Sequence, residues 1–367
     1  MAALRRPSVN MRLPLAPMLS TIVSSELADF PGVVQRMSEQ QDVTVRIDDR
    51  IRLVSAALAL TDWPDKAQER QPHGTHAHSR ATRKFLEPLR GHEAVQGLQA
   101  LLNQGAPLEA MFALAMQMRW PGLEIETLPA WAPPRWNDHL RDFYGRSGLE
   151  QWWVDEDHAW RSSVQEAQRM FRSVRFKPFL FPFVGQVAET LVFVPNISFP
   201  TNREVGIRVG NELLCIAPPR LAWGDSPPWP FDEDAAHIYR AALTQFGRLL
   251  MLAFLRLHAD ALAPVAATPM PVNDQFRAQF PSWQEQFTNL FVSAAVAIFL
   301  EEHVSKAEAK AYVLMERKTK EMHILPGMIS VLRRYLNERS NGRYHDLMDF
   351  MPVFPKALRV ANKIVTL

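Results

Sequence analysis

One cysteine, Cys215, stands in the 367 residues. A single thiol excludes a disulfide framework within the chain and any zinc site built on several Cys ligands. Within "LLCIAPP" it is expected as a small buried apolar residue, not as a nucleophile. A charge excess is also missing. Lys and Arg number 41 against 39 Asp and Glu, a net charge of +2, so no basic face for nucleic acid is expected despite the lone stretch "FRSVRFKPFLF". No apolar run reaches the ~20 residues of a membrane span. At the N-terminus Arg5, Arg6 and Arg12 precede a weakly apolar stretch that Pro14 and Pro17 interrupt, and no clean A-x-A site follows. No signal peptide is expected there, which leaves a cytoplasmic protein, with Met11 as an alternative start and residues 1–10 as a tail. Internal repeats and low-complexity tracts are absent. So are the G-x-x-x-x-G-K and G-x-G-x-x-G phosphate loops and the G-x-S-x-G nucleophile elbow.

What is present is a core. Hydrophobic residues make up 47% of the chain and charged residues 22%, the balance of a globular protein. Residues 1–40 read as an N-terminal arm and 41–175 as a mainly helical part. Alternation at Val43, Val45 and Ile47 gives way to helical spacing through Ile51, Val54 and Leu58, with Asp48 or Asp49 as the N-cap. The Met stripe of "PLEAMFALAMQMRW" (Met111, Met116, Met118) is expected to fill core. After Phe176 β-branched and aromatic residues alternate, and Gly210-Asn211 marks a hairpin turn. A Pro- and Trp-rich loop then leads, through Asp232, Glu233 and Asp234, into a long helix over 235–262, and further helices follow. The expected fold class is α+β: mostly helical, with a small antiparallel sheet preceding the long helix in a part spanning 176–367.

That long helix carries the most informative polar residues. Tyr239, Leu243, Phe246, Leu250, Ala253 and Leu257 form a continuous apolar face. Thr244 and Arg248, four apart, share another face, with Gln245 one step round. On its own "TQFGR" reads as the solvated side of a core helix. The i, i+4 spacing is also that of a zincin helix, where two His bind Zn and the Glu after the first is general base.

The chain resembles a bacterial family of uncharacterised zincin-like domains, in which this helix carries H-E-F-G-H and a later helix supplies an acidic ligand. Phe246 and Gly247 match the central F-G. "YHDLMDFMP" (Tyr344 to Pro352) matches the closing segment, and "NLFVSAAVAIFLEEH" sits where the acidic helix belongs. "RIDDRIRLVSAALALTDW" and "GHEAVQGLQALL" resemble its early helices, so the likeness spans about residues 40–360. Set on that pattern, Thr244 replaces the first His, Gln245 the Glu and Arg248 the second His. Asn289, 45 positions after Thr244, stands for the acidic ligand. Thr and Gln do not compete with water for Zn²⁺, Arg cannot deprotonate to ligate, and Gln cannot take a proton from a bound water. The resemblance therefore implies a pseudoenzyme: a scaffold without catalytic residues or zinc at the motif. Its cleft would bind a protein or peptide partner, with Arg248 drawing an acidic segment or carboxylate.

Two other clusters carry chemical potential. "PHGTHAHSR" places His73, His76 and His78 within six residues, where a metal could be held with His92 or Glu93 completing the shell. A metal-dependent hydrolase using that relocated site is the enzymatic alternative. A plain interaction subunit without zincin ancestry is the other. "WWVDEDHAW" sets Asp155, Glu156, Asp157 and His158 between Trp residues. A carbohydrate groove could use such acids, but they serve equally as dipole partners at a helix start.

Overall fold

The computed structural model describes residues 41–68, 77–220 and 229–365. The N-terminal arm 1–40, His73 and His76, and most of the Pro/Trp-rich loop lie outside the described residues. Residues Gln41–Leu367 form one compact unit. It begins with β1 (Val43–Val45), then α1 (Asp49–Ala59), α2 (Trp63–Gln68), α3 (Ala77–Leu86), α4 (Glu93–Asn103) and α5 (Leu108–Gln117). Next come α6 (Trp136–Ser147), α7 (Leu149–Asp155), α8 (Asp157–Arg172) and α9 (Phe176–Val184), then β2 (Thr190–Pro195), β3 (Val205–Val209) and β4 (Glu212–Ala217). The chain ends with α10 (Ala235–Leu257), α11 (Ala259–Ala266), α12 (Asp274–Gln279), α13 (Trp283–His303), α14 (Lys306–Thr319), α15 (Leu325–Ser340), α16 (Leu347–Phe350) and α17 (Phe354–Val365). The mostly helical α+β class expected from the sequence is the class observed.

The sheet is mixed, however, not antiparallel. Its order is β1-β2-β4-β3, with β1 parallel to β2, β2 parallel to β4, and only the β3–β4 hairpin antiparallel. Gly210, in the left-handed region at φ 55, makes that hairpin's turn. The central strands "TLVFVP" and "ELLCIA" are near-continuous apolar runs because both faces are covered. Leu191, Phe193, Leu213 and Cys215 face a core shared with α8, α9, α10, α13 and α15. Val192, Val194, Leu214 and Ile216 face a second core made by α1 and α4–α7. Cys215 is fully buried, as its sequence setting suggested, and burial drives its thiol pKa well up. Met111, Met116 and Met118 are buried in the second core.

Caps fix the helices that matter. Asp48 caps α1 by accepting from Arg50 N, and Asp234 caps α10 by accepting from His237 N at 2.9 Å. Ser282 and Glu285 form a reciprocal capping box on α13. From Gln286 to Leu300 α13 is buried on almost every side, the mark of a central core helix. The expected single helix over 235–262 is instead two. The backbone of His258 leaves helical geometry, and α11 departs at 95° from α10. Among the described residues no single helix is long and apolar enough to cross a membrane, although the bent α10–α11 pair passes by length and composition together.

Candidate functional site

α10 lies against β3 and β4 on one side and α13 on the other. Its outward face looks into a cleft of about 1460 Å³, lined also by the loop that leads into β3 (Thr201 to Glu204), by α13 and α14, and by Trp63 and Glu109. Thr244, Gln245, Arg248 and Asn289 all line this cleft. Thr244 and Asn289 are half-buried, and Gln245 is buried. Thr244 and Arg248, which helical spacing puts on one face, thus share a concave surface with Asn289, which only the family pattern joined to them.

The frame residues turn inward. Phe246 is fully buried and meets Phe176 edge-on, with ring centroids 6.2 Å apart. Gly247 faces α13, where an added Cβ would sit 3.5 Å from Val292 Cγ2, an ordinary contact. "YHDLMDFMP" turns its apolar residues, Tyr344, Leu347, Phe350 and Met351, into the core: Asp346 caps α16, and Tyr344 and Phe350 pack on Tyr335.

Gln245 and β3 are fitted closely. A Cβ on Gly206 would lie 2.6 Å from Gln245 Oε1 and 2.8 Å from its Cβ, so only glycine lets this edge strand approach α10. Gly206→Ala is expected to cost roughly 1–3 kcal/mol by overpacking, read as a lowered denaturant midpoint. Arg248 Nη2 divides itself among Glu109 Oε1 (3.4 Å), Gly206 O (3.3 Å) and Gln245 Oε1 (3.3 Å). Asn289 donates its Nδ2 to Glu285 O at 2.8 Å, within its own helix.

One turn towards the N-terminus of α10, Arg240 binds Glu204 at 2.7 Å. Burial pushes the Glu204 carboxyl pKa up, but Arg240 beside it wins, and the net value falls to about 2. His237 donates Nε2–H to Pro218 O at 3.1 Å, leaving Nδ1 as an acceptor towards Arg240. Burial first, then the Arg240 charge, lower its pKa to about 4, so the ring is neutral near pH 7. Across the cleft Glu316, 1% exposed, accepts from Ser293 (3.1 Å) and Lys320 (2.9 Å). Arg220 pairs with Asp234 at 2.6 Å.

These two shifts predict acid lability. Unfolded His237 takes a proton below about 6.5, whereas the folded ring resists until about 4, so falling pH favours unfolding across that window. Glu204 follows: its stabilisation is complete above about 4.5 and is lost as pH falls towards about 2. Each shift corresponds to roughly 3 kcal/mol. Urea titrations in steps from pH 7 to pH 4 are expected to show the first loss in the wild type and a flatter profile in His237→Gln, which keeps a donor for Pro218 O.

Searched against protein-family models, curated proteins and solved structures, the chain matches none of them. The donor set must therefore be judged on its own chemistry. A neutral hydroxyl (Thr244), two amides (Gln245, Asn289) and a permanent cation (Arg248) do not fit Zn²⁺, and Arg248 would repel it.

Of the His-rich loop, only His78 lies among the described residues. His78 Nδ1 contacts Glu156 at 3.0 Å, joining α3 to the α7–α8 junction. His92 and Glu93, proposed to complete a shell with the His-rich loop, are engaged elsewhere. His92 caps α4 through Ala94 N and meets Asp142 at 3.0 Å, while Glu93 pairs with His139 at 2.6 Å. Among the described residues no group of three or more His, Cys, Asp or Glu is arranged to hold a metal. Asp157 opens α8 and pairs with Arg161, the helix-start role expected of "DEDH".

Reasoning from sequence missed Glu109, Glu204, Gly206, Arg240 and Glu316. Arg240 alone had a local signal: it precedes Thr244 by four and Arg248 by eight, on the same face of α10.

Proposed function

We propose that this chain is a non-catalytic relative of metallopeptidase-like domains whose cleft serves as a binding module for a peptide or protein segment carrying a carboxylate. The observation that supports it is the common placement of Thr244, Gln245, Arg248 and Asn289 on one cleft, none of them able to ligate zinc or act as general base. Nearby titratable groups are committed as well: Glu204 to Arg240, Glu316 to Lys320, and His237 to Pro218 O.

The cations set where a carboxylate would bind. Arg240, Arg220 and Lys320 each have a carboxylate partner of their own, whereas Arg248 shares one at longer range. Zinc stoichiometry and peptidase activity of the purified chain, dialysed against zinc, test the reading. Neither stoichiometric zinc nor activity is expected. One zinc per chain that disappears in His73→Ala/His76→Ala/His78→Ala would overturn it in favour of a relocated hydrolytic site.

A further inference from the structure

We propose that Arg203 and Arg248 form a carboxylate clasp at the β3 end of the cleft, with Glu109 as its internal, displaceable occupant. This rests on reading the cleft as a binding surface, but not on the fate of the zinc motif. Both guanidinium groups approach the same atom, Glu109 Oε1, Arg248 at 3.4 Å and Arg203 at 3.9 Å. Charge-assisted N–H···O bonds close to about 2.7–2.9 Å. Two other pairs lining the same cleft do so, Arg240–Glu204 at 2.7 Å and Arg220–Asp234 at 2.6 Å. Glu109 therefore lies between two cations without closing on either.

The donors are not exhausted. Every hydrogen bond of Arg248 to a described residue runs through Nη2, which leaves Nε and Nη1 for a ligand. The Arg203 side chain is 63% exposed, and its approach to Glu109 is longer than a hydrogen bond. Two guanidiniums against one carboxylate leave a single positive charge. One further carboxylate neutralises it, whereas a phosphate dianion would overshoot beside Glu109. The fitting ligand is thus a monoanionic carboxylate, from an acidic side chain or a chain terminus. Glu109 competes with it for the same donors and so sets the threshold for binding.

The test is a titration followed by the Nε–Hε resonances of Arg203 and Arg248. Three probes are used: acetyl-alanyl-aspartyl-alanine amide, its asparaginyl counterpart, and acetyl-trialanine with a free terminal carboxylate. Saturable shifts of both resonances are expected with a carboxylate probe and none with the asparaginyl one. A response to the aspartyl probe alone names a side chain as the source, and a response to trialanine alone names a chain end. Arg203→Gln and Arg248→Gln should each weaken binding roughly tenfold, and Glu109→Gln should tighten it by a similar factor. Equal response to aspartyl and asparaginyl probes, no saturable response to any, or weaker binding in Glu109→Gln would overturn the clasp. Glu109→Gln changes no core packing, so its result stands even if an Arg variant folds poorly. Zinc at the motif would overturn the non-catalytic reading and leave the clasp result untouched.

Discussion

Glu204→Ala is expected to destabilise the chain by about 3–5 kcal/mol, seen as a large drop in its denaturant midpoint. The Arg240 and Glu204 side chains are 20% and 13% exposed, and their 2.7 Å contact joins the start of β3 to α10. Removing the carboxylate strands a guanidinium that cannot lose its proton, beside a neutral His237 Nδ1 at 3.5 Å. The penalty is that of an uncompensated buried charge, which exceeds what the intact pair contributes over an apolar pair. Arg240→Ala should cost a similar amount. Glu204→Leu/Arg240→Met, which removes both charges and keeps volume, should cost much less than the two single losses together. Additive losses would show that the two residues act independently.

The ion pair also shows where sequence reading stops. Glu204 and Arg240 lie 36 positions apart on different elements, and no periodicity links them. The same holds for the sheet. β1 was visible as Val43/Val45 alternation, and the β3–β4 hairpin announced itself through Gly210-Asn211. The parallel pairing of Val43 with Leu191 bridges well over a hundred residues, and nothing local encodes it. The two-sided burial of β2 and β4 was legible in principle, since "LVFV" and "LLCI" carry no polar face. On α10 the helical period placed Thr244 and Arg248 on one face, and they share one cleft. The end of that helix is hidden in the sequence, because the apolar spacing continues to Leu262 while the backbone turns at His258. Glu109 as the partner of Arg248 was out of reach: it depends on α5 lying across β3, a packing decision made by the whole second core.

The second large effect is a gain. If α10 and α13 have the backbone placement of a metallopeptidase-like site, as proposed, installing the ligands of such a site should create metal binding. Thr244→His and Arg248→His put two imidazoles one turn apart on the cleft face of α10. Asn289→Glu adds the carboxylate from α13, and Gln245→Glu supplies a base. Three such ligands hold Zn²⁺ with an open fourth position. Sub-micromolar affinity, more than about 8 kcal/mol, is the expected result. Gln245→Glu is the most exposed to failure, because that side chain fills the space over Gly206. The triple variant without it should still take zinc.

The measurement that tests the central claim most directly is therefore zinc stoichiometry, by elemental analysis after exhaustive dialysis, of wild type beside Thr244→His/Arg248→His/Asn289→Glu. The account predicts no stoichiometric zinc in the wild type and one zinc per chain in the variant. A folded variant that takes up no zinc, or a wild type that already holds one zinc in this cleft, would contradict it.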